Sequence, residues 1–217
     1  MGIFDFFKTA KHFVDRGFKK AYKSDYDFKG AIEDYTKAIE LDPNYDEAYY
    51  LRANAKRHLK DYYGAISDYN KVTEKDYGNY LESSYSHRAG SKAELKDYEG
   101  AIEDYSKAID VSNRISTRSG TLGRAIASYY QKRGISKEKT KDYEGAMADL
   151  EKAIEIETDD NHLIEYKKSL KEFNERMQNI VNDMTSDKSI ENFVKGIKND
   201  MEKEIERLKK NNDQTKY

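Results

Sequence analysis

Cysteine and tryptophan are both absent from the 217 residues of this chain. Without cysteine there is no disulfide, no thiol nucleophile and no Cys-ligated zinc, a composition compatible with a reducing compartment. Charge of one sign is also missing, since 39 Lys and Arg stand against 41 Asp and Glu for a net charge of -2. So small a net charge draws a chain neither to nucleic acid nor to anionic lipid, and neither is an expected partner. No apolar run approaches the roughly 18 residues of a membrane span, and the first residues lack a signal-peptide core, so a cytoplasmic location is the default expectation. The marks of catalysis are lacking too. His12, His58, His87 and His162 are scattered, with no pair at the i, i+4 spacing of a helical zinc site. There is no phosphate-cradling glycine loop and no Gly-x-Ser-x-Gly elbow. The expectation is a chain that is not an enzyme and carries no cofactor or metal.

What is present is a repeat. Asp-aromatic-x-Gly-Ala occurs at Asp27 to Ala31, Asp61 to Ala65, Asp97 to Ala101 and Asp142 to Ala146. The glycines Gly30, Gly64, Gly100 and Gly145 are 34, 36 and 45 residues apart. Intervals of that size belong to helical repeat arrays, and the longer ones place additions in loops. After each alanine an apolar stripe continues in steps of three and four, as in Ile32, Tyr35, Ala38 and Ile39. Twelve residues before Ala65, Ala101 and Ala146 stand Ala53, Ala89 and Gly134, so two helices of each unit can approach closely. The same spacing in the first copy lands on Lys19. Each Asp is a candidate N-cap for the second helix, and the other recurrent acids read as caps and solvated faces. Units that cannot cover their own apolar faces stack, and stacking makes an extended concave surface rather than a catalytic pocket. Nineteen tyrosines supply large rings for the seams while their hydroxyls can stay wet.

The pattern resembles the tetratricopeptide repeat (TPR) family. Its small-Ala-aromatic-Ala-Pro signature is met by Ala31, Tyr35, Ala38 and Pro43, then by Ala53, Ala65 and Tyr69, then by Ala89, Ala101, Tyr105 and Ala108, and last by Gly134, Ala146 and Ala153. Val72 and Leu150 depart from it, and only the first copy has the closing proline. The resemblance covers residues 12 to 156 and implies an all-α, right-handed α-solenoid of four antiparallel helix hairpins. It further implies a non-enzymatic adaptor for a protein or peptide, with the first helix of each hairpin lining the groove. Mapped onto this chain, those positions are Arg16, Lys20 and Lys23, then Tyr50, Asn54 and Arg57, then Ser83, Ser86, His87 and Gly90, then Ser128, Gln131 and Lys132. The N-terminal half of that groove is expected to be basic and to suit an acidic or extended ligand. The family's clamp for chaperone tails is not rebuilt, because Leu51, Ser83 and Ser128 fall on positions it needs.

Three segments flank or interrupt the repeats. Residues 1 to 24 form an amphipathic stretch with Ile3, Phe7, Ala10, Val14 and Phe18 on one stripe, read as the first helix of the array or as a membrane-surface helix. Residues 111 to 121, rich in Ser, Thr and Gly, read as an inserted loop in which Arg114 and Arg118 could hold an anion. From 159 to 210 two heptad-like stripes, Leu163 to Met184 and Ile190 to Leu208, predict a helix pair. That pair would cap the array or assemble a homodimer scaffold, which is the alternative function, and 211 to 217 would be a disordered tail.

Overall fold

A computed structural model describes residues 9–24, 26–75, 77–116, 123–157, 159–184 and 201–203. All regular structure among them is helical: α1 (Ala10–Lys19), a π-helical turn (Lys20–Ser24), α2 (Phe28–Leu41), α3 (Asp46–His58), α4 (Tyr62–Thr73), α5 (Leu81–Glu94), α6 (Tyr98–Ser116), α7 (Gly123–Lys139), α8 (Tyr143–Ile156) and α9 (Asp160–Met184). The chain divides into two compact units, 1–166 and 167–217. In the first unit, α1/α2, α3/α4, α5/α6 and α7/α8 pack as hairpins, and each second helix packs on the first helix of the next hairpin. This is an α-solenoid.

The repeated phrase builds one turn four times. Asp27, Asp61, Asp97 and Asp142 each accept from the backbone N–H of the glycine three residues on, at 2.9 to 3.0 Å. A Cβ at Gly64 would lie 2.2 Å from the Asp61 carboxylate, so the cap itself demands the glycine. Before each capping Asp stands a residue in the left-handed region, Tyr26, Lys60, Lys96 or Lys141, with φ between 53° and 67°. In hairpins 2 to 4 it closes the first helix by a Schellman turn: Lys60 N–H donates to the Arg57 carbonyl and Asp61 N–H to that of Lys56, both at 2.9 Å. Lys96 and Lys141 repeat this pair of bonds.

The first hairpin differs by two residues. The π-helical turn at Lys20–Ser24 takes up the excess, and Asp27 N–H reaches back to the Lys20 carbonyl at 3.0 Å. Gly17 therefore occupies the small-residue position in place of Lys19, which is exposed. A Cβ on Gly17 would come within 2.7 Å of the Tyr35 ring. Phe13, Val14 and Ala21 bury against Ala31, Tyr35 and Ala38, with Ala48 and Leu51 of the next hairpin in the same cluster. Within residues 10 to 24 the stretch is thus a packed part of the array, while Ile3 and Phe7 lie outside the described residues.

Two further expectations meet different backbone. Helix α6 runs to Ser116, so the first half of the expected loop is helical, with Val111 and Ser112 buried and the Ser112 hydroxyl on Glu82. Arg114 lies on this helix, and Arg118 is outside the described residues. The heptad stripe from Leu163 is one continuous helix, α9. Tyr166 packs with Ala127 and Ala153. Farther along, Leu170, Phe173 and Met177 are buried in the single chain. The second stripe of that region and the tail lie outside the described residues, apart from the helical 201–203.

Candidate binding groove

Most of the basic residues on the first helices belong to the seams. Arg52 on α3 grips Asp68 on α4 with Nε and Nη2 at 2.9 and 2.7 Å, while Lys56, one turn on, adds an ion pair at 2.8 Å. Arg88, Lys92 and Asp104 repeat the arrangement, as do Arg133, Lys137 and Asp149. Each arginine also turns its Nη1 to the preceding hairpin: Arg52 to Thr36, Arg88 to Asn70 and Thr73, Arg133 to Ser106. Three helices are thereby fastened at one guanidinium. The four aspartates Asp34, Asp68, Asp104 and Asp149 are all buried, contrary to the expectation of solvated acids.

This arrangement absorbs two of the expected groove residues. Arg16 holds Asp34 through Nε at 2.8 Å and through Nη2, and Lys20 reaches the same carboxylate at 3.0 Å. Burial acts to raise the Asp34 pKa, but the hydrogen bonds from Arg16 and Lys20 outweigh it and hold the carboxyl below its ordinary value. Lys23 is exposed in the π-helical turn. With the register reset on Gly17, the first hairpin presents Phe18 and Tyr22, 40% and 37% exposed, with ring centroids 5.0 Å apart. Tyr22 meets Phe28 edge-on, and Phe28 stacks on His58 at 4.5 Å. The N-terminal end of the face is aromatic rather than basic.

Among the other expected positions, Asn54 is buried and accepts from the Tyr69 hydroxyl at 2.6 Å. Gln131 is buried as well, and Ser86 turns its hydroxyl to the Ser83 carbonyl. Ser83 and Ser128 are half-buried. Tyr50 stacks with Tyr80 at 4.9 Å and with His87 at 5.8 Å between ring centroids. His87 also leans on Tyr69, and its Nδ1 is buried without a hydrogen-bond partner. Burial first, then the charges of Arg57, Lys132 and His58, push its pKa down to about 4, so the imidazole is neutral near pH 7.

Arg57, Gly90 and Lys132 come together. They line one cavity of about 360 Å³ with Tyr62, Ala93, Glu94, Tyr98, Tyr105, Ile135, Ser136 and Lys139, drawn from α3 to α7 across three hairpins. Arg57 lies against the Tyr69 hydroxyl, its Nε buried without an acceptor, and it pairs with no carboxylate among the described residues. The Lys132 ammonium also lacks such a partner. Its pKa is lowered by desolvation and then by Arg57. Sequence spacing missed the wall residues Tyr98, Tyr105 and Ile135, which come from a second helix and from a later turn of α7. Among the described residues no group of three or more His, Cys, Asp or Glu is placed to hold a metal, and no helix is long and apolar enough to cross a membrane.

Comparison with known proteins agrees with this geometry. A TPR repeat family model matches residues 20–57, and a tetratricopeptide repeat model matches 46–76, 83–114 and 127–160, together more than half of the chain. No curated protein sequence matches the chain significantly. Among solved structures, MamA is 22% identical over 76% of this chain and 81% of its own, with a TM-score of 0.62. MamA from Desulfovibrio magneticus RS-1, residue 41 to its end, gives 16% identity, 78% and 85% coverage and a TM-score of 0.65. The TPR2B domain of yeast Sti1, solved as a complex with pHsp70, is 27% identical over 58% of this chain and 96% of its own, with a TM-score of 0.50.

Proposed function

Because the chain belongs to the tetratricopeptide repeat family, we propose that it is a non-enzymatic adaptor holding an extended segment of another protein along the first helices of its hairpins. One observation carries the reading: Arg57, Tyr50, His87 and Lys132 gather across successive hairpins on one face, beside a cavity that no described side chain fills. The first hairpin adds the exposed rings of Phe18 and Tyr22, where an apolar side chain of a ligand can lie flat. The Sti1 domain, which pairs this fold with pHsp70, supports the choice of a protein segment as ligand.

The seams determine the experiment. Reversing Arg16 or Lys20 would break the contact with Asp34, so a loss of binding there would say nothing about the groove. Arg57→Glu with Lys132→Glu, both without a carboxylate partner, leaves the seams intact. Affinity capture from native cytosol should lose specific proteins with this variant while circular dichroism stays unchanged. Identical capture by wild type and variant rejects the adaptor assignment for this face.

A further inference from the structure

Two groups of cations on the first helices differ in what they face. Those in the Arg-x-x-x-Lys pairs are each in direct contact with a buried aspartate on the facing helix, which the two cations share. Arg57, Lys132 and Lys139 face no such acid, and all three line the same cavity, whose one carboxylate is Glu94. Three cations against one anion leave that wall with a net charge of +2. Positive groups in excess of their counter-charge repel one another, and an anion relieves that repulsion. The Arg57 Nε is a buried donor lacking an acceptor, and the nearby His87 Nδ1 is likewise unpartnered. Beside the charges stand the Tyr98 and Tyr105 rings and the Ile135 side chain, a wall for the methylene groups of whatever brings the anion.

We propose that this cavity is an anion subsite that receives a carboxylate side chain, Asp or Glu, of the segment held in the groove, between the Arg57 guanidinium and the Lys132 ammonium. The proposal rests on the adaptor reading and names the chemistry its ligand presents. A guanidinium takes a carboxylate through two parallel hydrogen bonds, and its terminal Nη groups can form the fork while Nε stays buried. The space of about 360 Å³ exceeds one carboxylate, so it admits the neighbouring residue of the segment as well.

The test is a titration of the full chain with glutarate, with its neutral diamide and with inorganic phosphate, followed through the backbone signals of Gly90 and Ala93 and the imidazole signal of His87. Glutarate should saturate these signals and raise the His87 pKa, and the diamide should do neither. Arg57→Gln and Lys132→Gln should each weaken glutarate about tenfold, the effect of one lost charge-assisted contact. Lys152→Gln, on the exposed pair with Glu155, should change nothing. Equal response to the diamide, no saturation, or full binding by the double variant overturns the subsite. Tighter saturation by phosphate than by glutarate overturns the carboxylate assignment in favour of a phosphorylated side chain. If glutarate fails while protein capture by the groove persists, the subsite falls and the adaptor stands. If glutarate saturates while no capture depends on the groove, the adaptor reading falls.

Discussion

Replacing Asp104 by Asn keeps the shape of the most enclosed seam and removes its charge. Asp104 is fully buried and receives Arg88 Nε and Nη2 at 2.8 and 2.6 Å and Lys92 at 2.8 Å. Its partners are only 11% and 19% exposed, so water cannot restore what the carboxylate supplied. Removing one member of a buried ion pair costs roughly 3–5 kcal/mol, most of it from the charge left behind. The loss should spread to the α4–α5 contact, because the same guanidinium also holds Asn70 and Thr73. At Asp34 the partners are 36% and 35% exposed, and the equivalent Asp34→Asn should cost about 1–2 kcal/mol. Urea unfolding followed by far-ultraviolet circular dichroism measures both. A triple variant, Arg88→Met with Lys92→Met and Asp104→Leu, should recover to within about 1 kcal/mol of wild type, since apolar groups of similar volume can replace a buried ion group. An Asp104→Asn loss under about 1 kcal/mol, or one no larger than that of Asp34→Asn, refutes the reasoning.

Lys60→Gly, Lys96→Gly and Lys141→Gly should each stabilise by about 0.5–1 kcal/mol in the same urea experiment, because a left-handed residue with a Cβ is strained and glycine is not. Gly64→Ala should destabilise by displacing the Asp61 cap, yet stabilise in an Asp61→Ala background, where helix propensity alone decides; additive effects would show that the cap does not require the glycine. The His87 pKa of about 4 lies below the unfolded value of 6.5, so between those values the unfolded chain binds more protons. Stability should be complete above pH 6.5 and decline as pH falls toward 4, and His87→Gln should remove that part of the slope seen in urea midpoints. Lys20→Glu should lower the unfolding midpoint, whereas Lys132→Glu should leave it unchanged and weaken capture; the reverse outcome would exchange the roles given to these two lysines.

The parts legible in the sequence were those encoded locally. The Asp caps, the glycines they require and the apolar stripes recur at fixed offsets, and α2 to α8 follow them. The buried aspartates are hidden from sequence reading because their arginine partners sit 16 residues earlier, or 18 for Asp34, on an antiparallel helix, a separation that no single-helix period displays. Lysines in left-handed turns gave no signal, since glycine is the residue such turns advertise. The Ser-rich run after Val111 looked like a loop, but burial of Val111 and Ser112 and the bond to Glu82 keep its first half helical, tertiary contacts overriding weak propensity.

The candidate site was harder to read because its error came from two residues elsewhere. Counting twelve back from Ala31 reaches Lys19, whereas the π-helical turn moves the equivalent position to Gly17 and rotates the whole inner face of α1. That shift exchanges Arg16 and Lys20 for Phe18 and Tyr22, turning an expected basic end into an aromatic one. The structure then supplies a criterion that spacing alone can apply. An Arg with Lys four residues on and Asp sixteen on, as in Arg52, Lys56 and Asp68, or eighteen on where the π-helical turn intervenes, as in Arg16, Lys20 and Asp34, belongs to a seam. Arg57 and Lys132 fail it, with Thr73 and Ala148 at the offset where Asp would stand. Their charge is consequently not needed to hold the hairpins together, and the face they share with Tyr50 and His87 can change its ligand without changing its fold.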